Sequence, residues 1–263
     1  MSVFSISIVS HGHARYIIPL LRSLAALGRS DIEVILTINY PEQFDLDFAA
    51  LPYPLQIIEN PVRKGFAANH NAAFAASTGH NFVILNPDIE LIGDPFAPLA
   101  ILMQQMPGAL YAPVVLNHLG ELEDSMRFFP SPPLLFKKLV AKMLHLKMRN
   151  DVVPSTAEVL MPDWVAGMFI VVPRALYSEL KGLNERYHMY YEDVDLCARA
   201  RLGGHPVLVS RNAQVVHEAQ RDSHRKLQYL LWHMLSALKF FTSEAYLKIN
   251  LRRAFGHPLP SHK

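Results

Sequence analysis

The chain has 263 residues, 51% of them hydrophobic and 18% charged, with a formal net charge of +2. Such a composition buries the core of one large α/β domain and excludes a disordered chain, and the balanced charge gives no field that would draw nucleic acid. The single cysteine, Cys197, excludes an intramolecular disulfide, and with no Cys/His zinc spacing it points to a reducing compartment, the cytoplasm.

In chain order, Phe4 to Val9 reads as a first buried strand and not as a leader, having no basic flank and no small-residue cleavage site. After Ser10-His11-Gly12-His13, the apolar residues Ile17, Leu20, Leu21, Leu24 and Leu27 recur at helical spacing up to Gly28. Ile32 to Ile38 and Leu55 to Glu59 are further strands, Gly65 to Ser77 is an Ala-rich helix, and Phe82 to Leu85 is a fourth strand stopped by Asn86-Pro87-Asp88. Alternation of this kind predicts a Rossmann-like, mainly parallel sheet with helices on both faces. Leu110 to Leu116 and Trp164 to Val172 read as strands, Arg174 to Leu180 and Val194 to Leu202 as helices, and Pro206 to Val209 as the last strand. Leu134 to Met148 is a lysine-rich amphipathic helix, and Lys226 to about Ile249 one long helix. No apolar run reaches the roughly 20 residues that span a bilayer.

Two acidic motifs carry the chemistry. Asp88 stands just past the end of a buried strand, the edge of an open α/β sheet where ligands bind, and can offer oxygen to a hard cation bridging a diphosphate. Its bland alternative is a turn-forming Asn-Pro-Asp. Glu192, Asp193 and Asp195 crowd a predicted helix start, where mutual repulsion raises at least one pKa toward neutrality, as a general base requires. The alternative there is an acidic first turn complementing the helix dipole. Arg63, Lys64 and Gly65 precede a helix and suit phosphate, or form a solvated basic turn, and His217 after the last strand is a second metal or diphosphate ligand or a structural histidine.

The order of these motifs resembles glycosyltransferase family 2, in particular its rhamnosyltransferase-like branch in bacterial surface-polysaccharide (O-antigen) biosynthesis. The matching pieces are Asn60-Pro61 to Asn71, Leu85-Asn86-Pro87-Asp88, Trp164-Val165-Ala166-Gly167-Met168, Gly182-Leu183-Asn184-Glu185, Tyr191 to Arg199, and His217. The resemblance implies a GT-A fold over residues 1–225, with a nucleotide-binding half (1–100), an acceptor and catalytic half (101–225), and a C-terminal helical extension (226–263). It implies an inverting, metal-dependent nucleotide-sugar hexosyltransferase with Mg2+ or Mn2+ at Asp88 and His217, and Asp193 as general base with Glu192 second. It places the donor cofactor near Ser10, His11, Asn39, Arg63, Lys64, Gly65, Asn69 and Asn86. The acceptor and sugar lie near Trp164, Gly167 and Asp195. Many relatives carry an acid after the second strand to hold the base; Leu36-Thr37-Ile38-Asn39-Tyr40-Pro41 has none, so UDP- and dTDP-sugars both stand.

The expected partners are thus a nucleotide-sugar donor and a glycan or lipid-linked glycan acceptor, with rhamnose or another hexose transferred. The amphipathic segments either dock the enzyme on the inner face of the plasma membrane or pack on the domain or on the second subunit of a homodimer. Two competing functions are a nucleotidyltransferase, which would need a glycine-rich basic loop after the first strand, and a non-catalytic nucleotide- or glycan-binding protein on the same fold.

Overall fold

The computed structural model describes residues 3–133, 137, 140, 141, 144, 157–217 and 227–256. In chain order these form β1 (Phe4–Ser10), α1 (Ala14–Ala26), β2 (Ile32–Ile38), β3 (Leu55–Glu59), α2 (Phe66–Ala76), β4 (Asn81–Leu85) and β5 (Ile89–Leu91). There follow α3 (Phe96–Gln105), β6 (Leu110–Leu116), β7 (Met126–Arg127), β8 (Val159–Leu160), β9 (Trp164–Val165) and β10 (Phe169–Pro173). The last elements are α4 (Arg174–Glu179), α5 (Glu192–Leu202), β11 (Val207–His217), α6 (Leu227–Phe241) and α7 (Glu244–Ala254).

One sheet runs in the order β3-β2-β1-β4-β10-β6-β11-β5, with β8 alongside β11. The pairs β3-β2, β2-β1, β1-β4 and β6-β11 are parallel, whereas β10 and β5 run against their neighbours. The result is the mostly parallel, mixed sheet of an α/β fold. Every residue of β1 is buried, as a strand covered on both faces must be. One face carries α1 and α3: Ile17, Leu20, Leu21 and Leu24 of α1 meet Phe96, Leu99 and Leu102 of α3 over the sheet. The other carries α2, α4, α5, α6 and α7, packed through Ala67, Tyr177, Leu196 and Phe240. Burying each such large apolar side chain is worth about 1.5–3 kcal/mol, so both helical layers are held firmly.

Several elements differ from the sequence expectation. The run from Trp164 to Val172 is two strands in different sheets, β9 pairing with β7 and β10 lying in the main sheet, with Ala166-Gly167-Met168 between them. The last strand is longer than expected, reaching His217 past an irregularity between Ser210 and Gln214. The long C-terminal helix is two, interrupted where the Ser243 side chain accepts a hydrogen bond from Tyr246 N and caps α7. Helix α3 and strand β5 were not expected. The expected amphipathic helix from Leu134 to Met148 lies largely outside the described residues.

Candidate active site

β4 delivers its Asn-Pro-Asp turn to the C-terminal edge of the parallel strands. Asn86 N donates to Met168 O (2.8 Å), and Ile89 N closes the turn on Asn86 O (3.4 Å). Strand β5 then pairs with β11 so that Ile89 faces His217. Asp88 and His217 thereby become neighbours, with Nε2 of His217 3.4 Å from Oδ2 of Asp88. Burial opposes charge on His217, but the Asp88 carboxylate outweighs it and raises the imidazole above its ordinary value. Oδ1 of Asp88 and Nδ1 of His217 are buried without a hydrogen-bond partner among the described residues, as is Nδ1 of His13, which feels the Asp88 charge. Buried lone pairs without donors are costly unless something positive completes them, so this pair fits a divalent cation. Among the described residues no third carboxylate, imidazole or thiol converges to finish a protein-only cage. That suits a Mg2+-like ion, which takes one or two protein ligands and fills its shell from phosphate and water.

The second carboxylate group is built from the other side. Tyr190 and Tyr191, at φ 71° and 70°, both take left-handed backbone, a conformation that costs a non-glycine residue about 1–2 kcal/mol. α6 holds them there: Ser236 Oγ donates to Met189 O (2.8 Å) and Lys239 Nζ to Arg186 O (2.7 Å). The Tyr191 ring packs on Phe240 (5.6 Å), and His188 meets Trp232 edge-on (4.9 Å). The chain so turned starts α5 at Glu192, burying Glu192 and Asp195 and leaving Asp193 half-buried. Asp193 Oδ2 accepts from Gly167 N (2.9 Å), and its Oδ1 from Val194 N (2.8 Å). Burial pushes the Asp193 carboxyl up against the pull of those two amides. Burial, and then the Asp193 charge, push Glu192 up strongly, and its Oε2 has no partner among the described residues.

Both acidic motifs converge on the turn between β9 and β10. Gly167 binds Asp193, while the adjacent Met168 binds Asn86, two residues before Asp88. A Cβ on Gly167 would lie 3.3 Å from the Phe66 ring, which would have to give way, and in ordinary contact, at 3.6 Å, with Asp193 Cβ.

The residues expected near the donor form one polar knot. Asn39 accepts from Lys64 N (2.9 Å) and from Asn60 Nδ2 (2.7 Å), while its own amide donates to Lys64 O (2.9 Å) and to an imidazole nitrogen of His11. Asn60 also bonds Asn69, and Ser10 Oγ accepts from His13 N. Burial, reinforced by His13 and Arg63, lowers the His11 pKa to about 4, so this histidine is neutral at pH 7. The Arg63 guanidinium lies over the Tyr40 ring at 4.2 Å. Gly65 is obligatory by contact: a Cβ there would stand 2.7 Å from His188 O.

Asp195 and Trp164, expected beside the acceptor, are tied into the framework. The Asp195 carboxylate pairs with Arg199 (2.7 Å) and accepts from Tyr187, and Arg199 also donates to Leu180 O and to Gly182 O. Trp164 donates its indole N–H to Phe128 O (3.0 Å) beneath the Arg127 guanidinium. Sequence reading missed Glu42, which accepts from Gly12 N and Ala14 N at the start of α1. It also missed the α6 side chains that brace the Arg186–Tyr191 loop; neither set lies in a motif, so no local pattern marked them.

Residues 5–150, more than half of the chain, match the family model for glycosyl transferase family 2. The chain belongs to that family. It is a glycosyltransferase, and it fits the rhamnosyltransferase-like branch. It is 28% identical to the rhamnosyltransferase WbbL of Escherichia coli K12 over 259 residues, which cover 92% of this chain and 94% of that one. Over 62 residues, 24% of this chain and 20% of the relative, it is 34% identical to an N-acetylglucosaminyl-diphospho-decaprenol L-rhamnosyltransferase of Mycobacterium tuberculosis. Among solved folds it resembles the mannosyltransferase PcManGT of Pyrobaculum calidifontis in complex with GDP-Man and Mn2+. That likeness has a TM-score of 0.57 at 15% identity, and covers 96% of this chain and 69% of that one. Among the described residues no helix is long and apolar enough to cross a membrane.

Proposed function

We propose that this glycosyltransferase moves rhamnose or a related hexose from a dTDP- or UDP-sugar to a hydroxyl of a lipid-linked glycan at the cytoplasmic face of the membrane, building a surface polysaccharide. The observation that carries the chemistry is the shared turn, where Gly167 N holds Asp193 and Met168 O holds the strand exit that presents Asp88. WbbL and the mycobacterial relative support the rhamnosyl donor, and the decaprenol-linked acceptor in the latter's name supports the lipid carrier.

In this reading Asp88 and His217 hold Mg2+ or Mn2+, which when bound neutralises charge on the departing nucleoside diphosphate. Asp193 removes the proton from the acceptor hydroxyl as that oxygen attacks the anomeric carbon from the face opposite the leaving group. The sugar is therefore transferred in one displacement, with inversion. Two backbone amides fix the Asp193 carboxylate in place, and burial keeps its basicity above that of an exposed aspartate. Glu192 beside it resists ionising together with Asp193, which keeps the pair from presenting two negative charges to the acceptor. His11, Asn39, Arg63, Lys64, Gly65, Asn69, Ser10 and Asn86 line the donor side. Gly167 leaves room beside Asp193 for the acceptor, with Trp164 and Asp195 supporting that wall.

The test combines binding and turnover. Calorimetric titration with UDP and dTDP, with and without Mn2+, identifies the base and the metal dependence. Asp88→Ala should remove the metal-dependent part of binding. Asp193→Asn should retain nucleotide binding while lowering transfer to a polyprenyl-diphosphate-linked acceptor by 10²–10⁴-fold, the usual contribution of a positioned base. Tight nucleotide binding with no turnover on any acceptor would instead favour the non-catalytic reading.

A further inference from the structure

Between the donor-side knot and the catalytic acids stands a group of aromatic rings. His188 borders the donor side: its O lies 2.7 Å and its Nδ1 3.2 Å from the place a Cβ on Gly65 would take. The His188 ring meets Trp232 at 4.9 Å, and Trp232 meets Tyr229 edge-on at 5.4 Å. The next residue, His233, packs on Tyr190 at 5.3 Å and on Tyr191 at 5.4 Å, directly before Glu192 and Asp193. The rings thus run contact by contact from Gly65 to the start of α5. On α6, Tyr229, Trp232, His233, Ser236 and Phe240 follow the i, i+3, i+4, i+7, i+11 spacing of one helix face. The side of α6 that holds the loop is therefore also the side that carries the rings.

The two ends of that face differ. Ser236 and Phe240 are buried, whereas Tyr190, Tyr229 and Trp232 are half-buried and His188 and His233 are exposed. Tyr191 offsets its left-handed backbone with a buried ring. Tyr190 takes the same strained backbone, at φ 71°, and leaves its ring only half covered. Packing alone does not account for that, and strained residues collect at ligand clamps.

We propose that His188, Tyr190, Tyr229, Trp232 and His233 form the platform on which a pyranose ring of the acceptor glycan lies. The proposal rests on the reading above that Asp193 deprotonates a glycan hydroxyl, and names where that glycan is held. A sugar ring has an apolar face of C–H bonds edged by hydroxyls. Each of the five side chains matches it, with a flat apolar body and a nitrogen or hydroxyl at the edge. A purely apolar partner would call for leucine or phenylalanine, and a phosphate for guanidinium or ammonium groups; the five rings are of neither kind. Position selects the acceptor over the donor. The rings begin at Gly65, on the proposed donor side, and end at the base, and the acceptor is the reactant that must reach both at once.

Methyl glycosides of glucose, galactose, N-acetylglucosamine and rhamnose serve as probes, titrated into the full chain without donor while tryptophan emission is read. The chain has two tryptophans, Trp164 and Trp232. At least one glycoside should change the emission, and the change should survive Trp164→Phe and vanish in Trp232→Phe. Tyr229→Ala, one turn before the residues that brace the loop, should weaken that binding about tenfold through loss of one ring contact. In transfer to the polyprenyl-diphosphate-linked acceptor it should raise the acceptor KM by a similar factor and leave kcat and nucleotide affinity within about twofold, with Tyr229→Phe close to wild type. A Tyr229→Ala variant that lowers kcat with the acceptor KM unchanged would mean that the ring only braces the loop, and would overturn the platform. So would an emission change carried by Trp164 alone, or no response to any of the glycosides. A Trp232 response in a chain that binds no nucleotide would count against the transfer reading and leave the platform standing.

Discussion

The closest steric constraint on the catalytic loop lies at Gly65, and Gly65→Ala isolates it. The residue has φ −70° and ψ 166°, an extended backbone open to alanine, so substitution adds a methyl group and no backbone strain. That methyl would sit 2.7 Å from His188 O, where a carbon–oxygen contact settles at about 3.3–3.6 Å, so α2 and the loop must separate by about 0.6–0.9 Å. The hydrogen bond from Phe66 N to His188 O, now 3.2 Å, does not survive that shift. Overpacking costs about 1–3 kcal/mol and the lost bond about 1 kcal/mol. A total of about 2–4 kcal/mol lowers the melting temperature of a chain this size by about 4–16 °C. Glu192 and Asp193 follow His188 by a few residues through the left-handed pair, so the shift reaches the base. A misplacement near 1 Å costs roughly 10²-fold in rate, and kcat should fall by about 30- to 100-fold with nucleotide affinity nearly unchanged. Circular-dichroism melting and single-turnover transfer measure both effects. A variant that melts within about 1 °C of wild type and turns over at its rate would refute the contact.

Other expectations follow from the same geometry. Glu33 accepts from Ser5 Oγ, Thr78 N, Thr78 Oγ1 and Gly79 N, which outweigh its burial and lower its pKa. Its contribution is present above the unfolded value of about 4.3 and lost as pH falls through the lower folded value. Glu33→Gln should cost about 1–2 kcal/mol at pH 7, after discounting for its partial exposure, and should flatten that acid loss in urea titrations at pH 3–7. For catalysis the carboxyl pKa values at Glu192 and Asp193 are raised, so the deprotonated base is lost already above the ordinary carboxylate range as pH falls. The acid limb of kcat/KM should lie above the ordinary carboxylate range, and a limb inside that range would contradict the raised pair. Arg199→Met strips the nearly inaccessible Asp195 of its cation and should cost about 3 kcal/mol in chemical denaturation, as removing one partner of a buried pair does.

Much of the fold was legible because its signals are local. β1, α1, β2 and β4 are apolar runs at clear strand or helix spacing, and the structure keeps them within a residue or so. α3 was not read from the sequence; Pro95 and Pro98 fall at its N-cap and in its first turn, where proline is tolerated, and Asp94 caps Phe96 N. The run from Trp164 to Val172 looked like one strand because the partners that split it are distant in sequence: β7 takes Trp164 and Val165, and Gly167 N binds Asp193, 26 residues away. The same division holds at the site. Asp88 and the acids after Tyr191 stood out as motifs, and both acidic groups face the shared turn. The neighbours that give them their chemistry come from sequence-distant elements: His217 by strand pairing, Glu42 by a loop, and the α6 braces by helix packing. Asp195 shows the opposite limit, since an acid inside the motif turns out to hold Arg199.

The left-handed pair at Tyr190 and Tyr191 ties the timing of activity to the order of synthesis. The donor-side strands β1 to β4 emerge first and hold one another by parallel pairing. The catalytic loop emerges next in a backbone shape it does not favour, and the groups that hold it there belong to α6, still further along the chain. A nascent chain halted after β11 thus has its donor side assembled and its base unplaced. With Asp193 as the proposed base, a chain that has not yet made α6 lacks the groups that hold the left-handed loop in front of it.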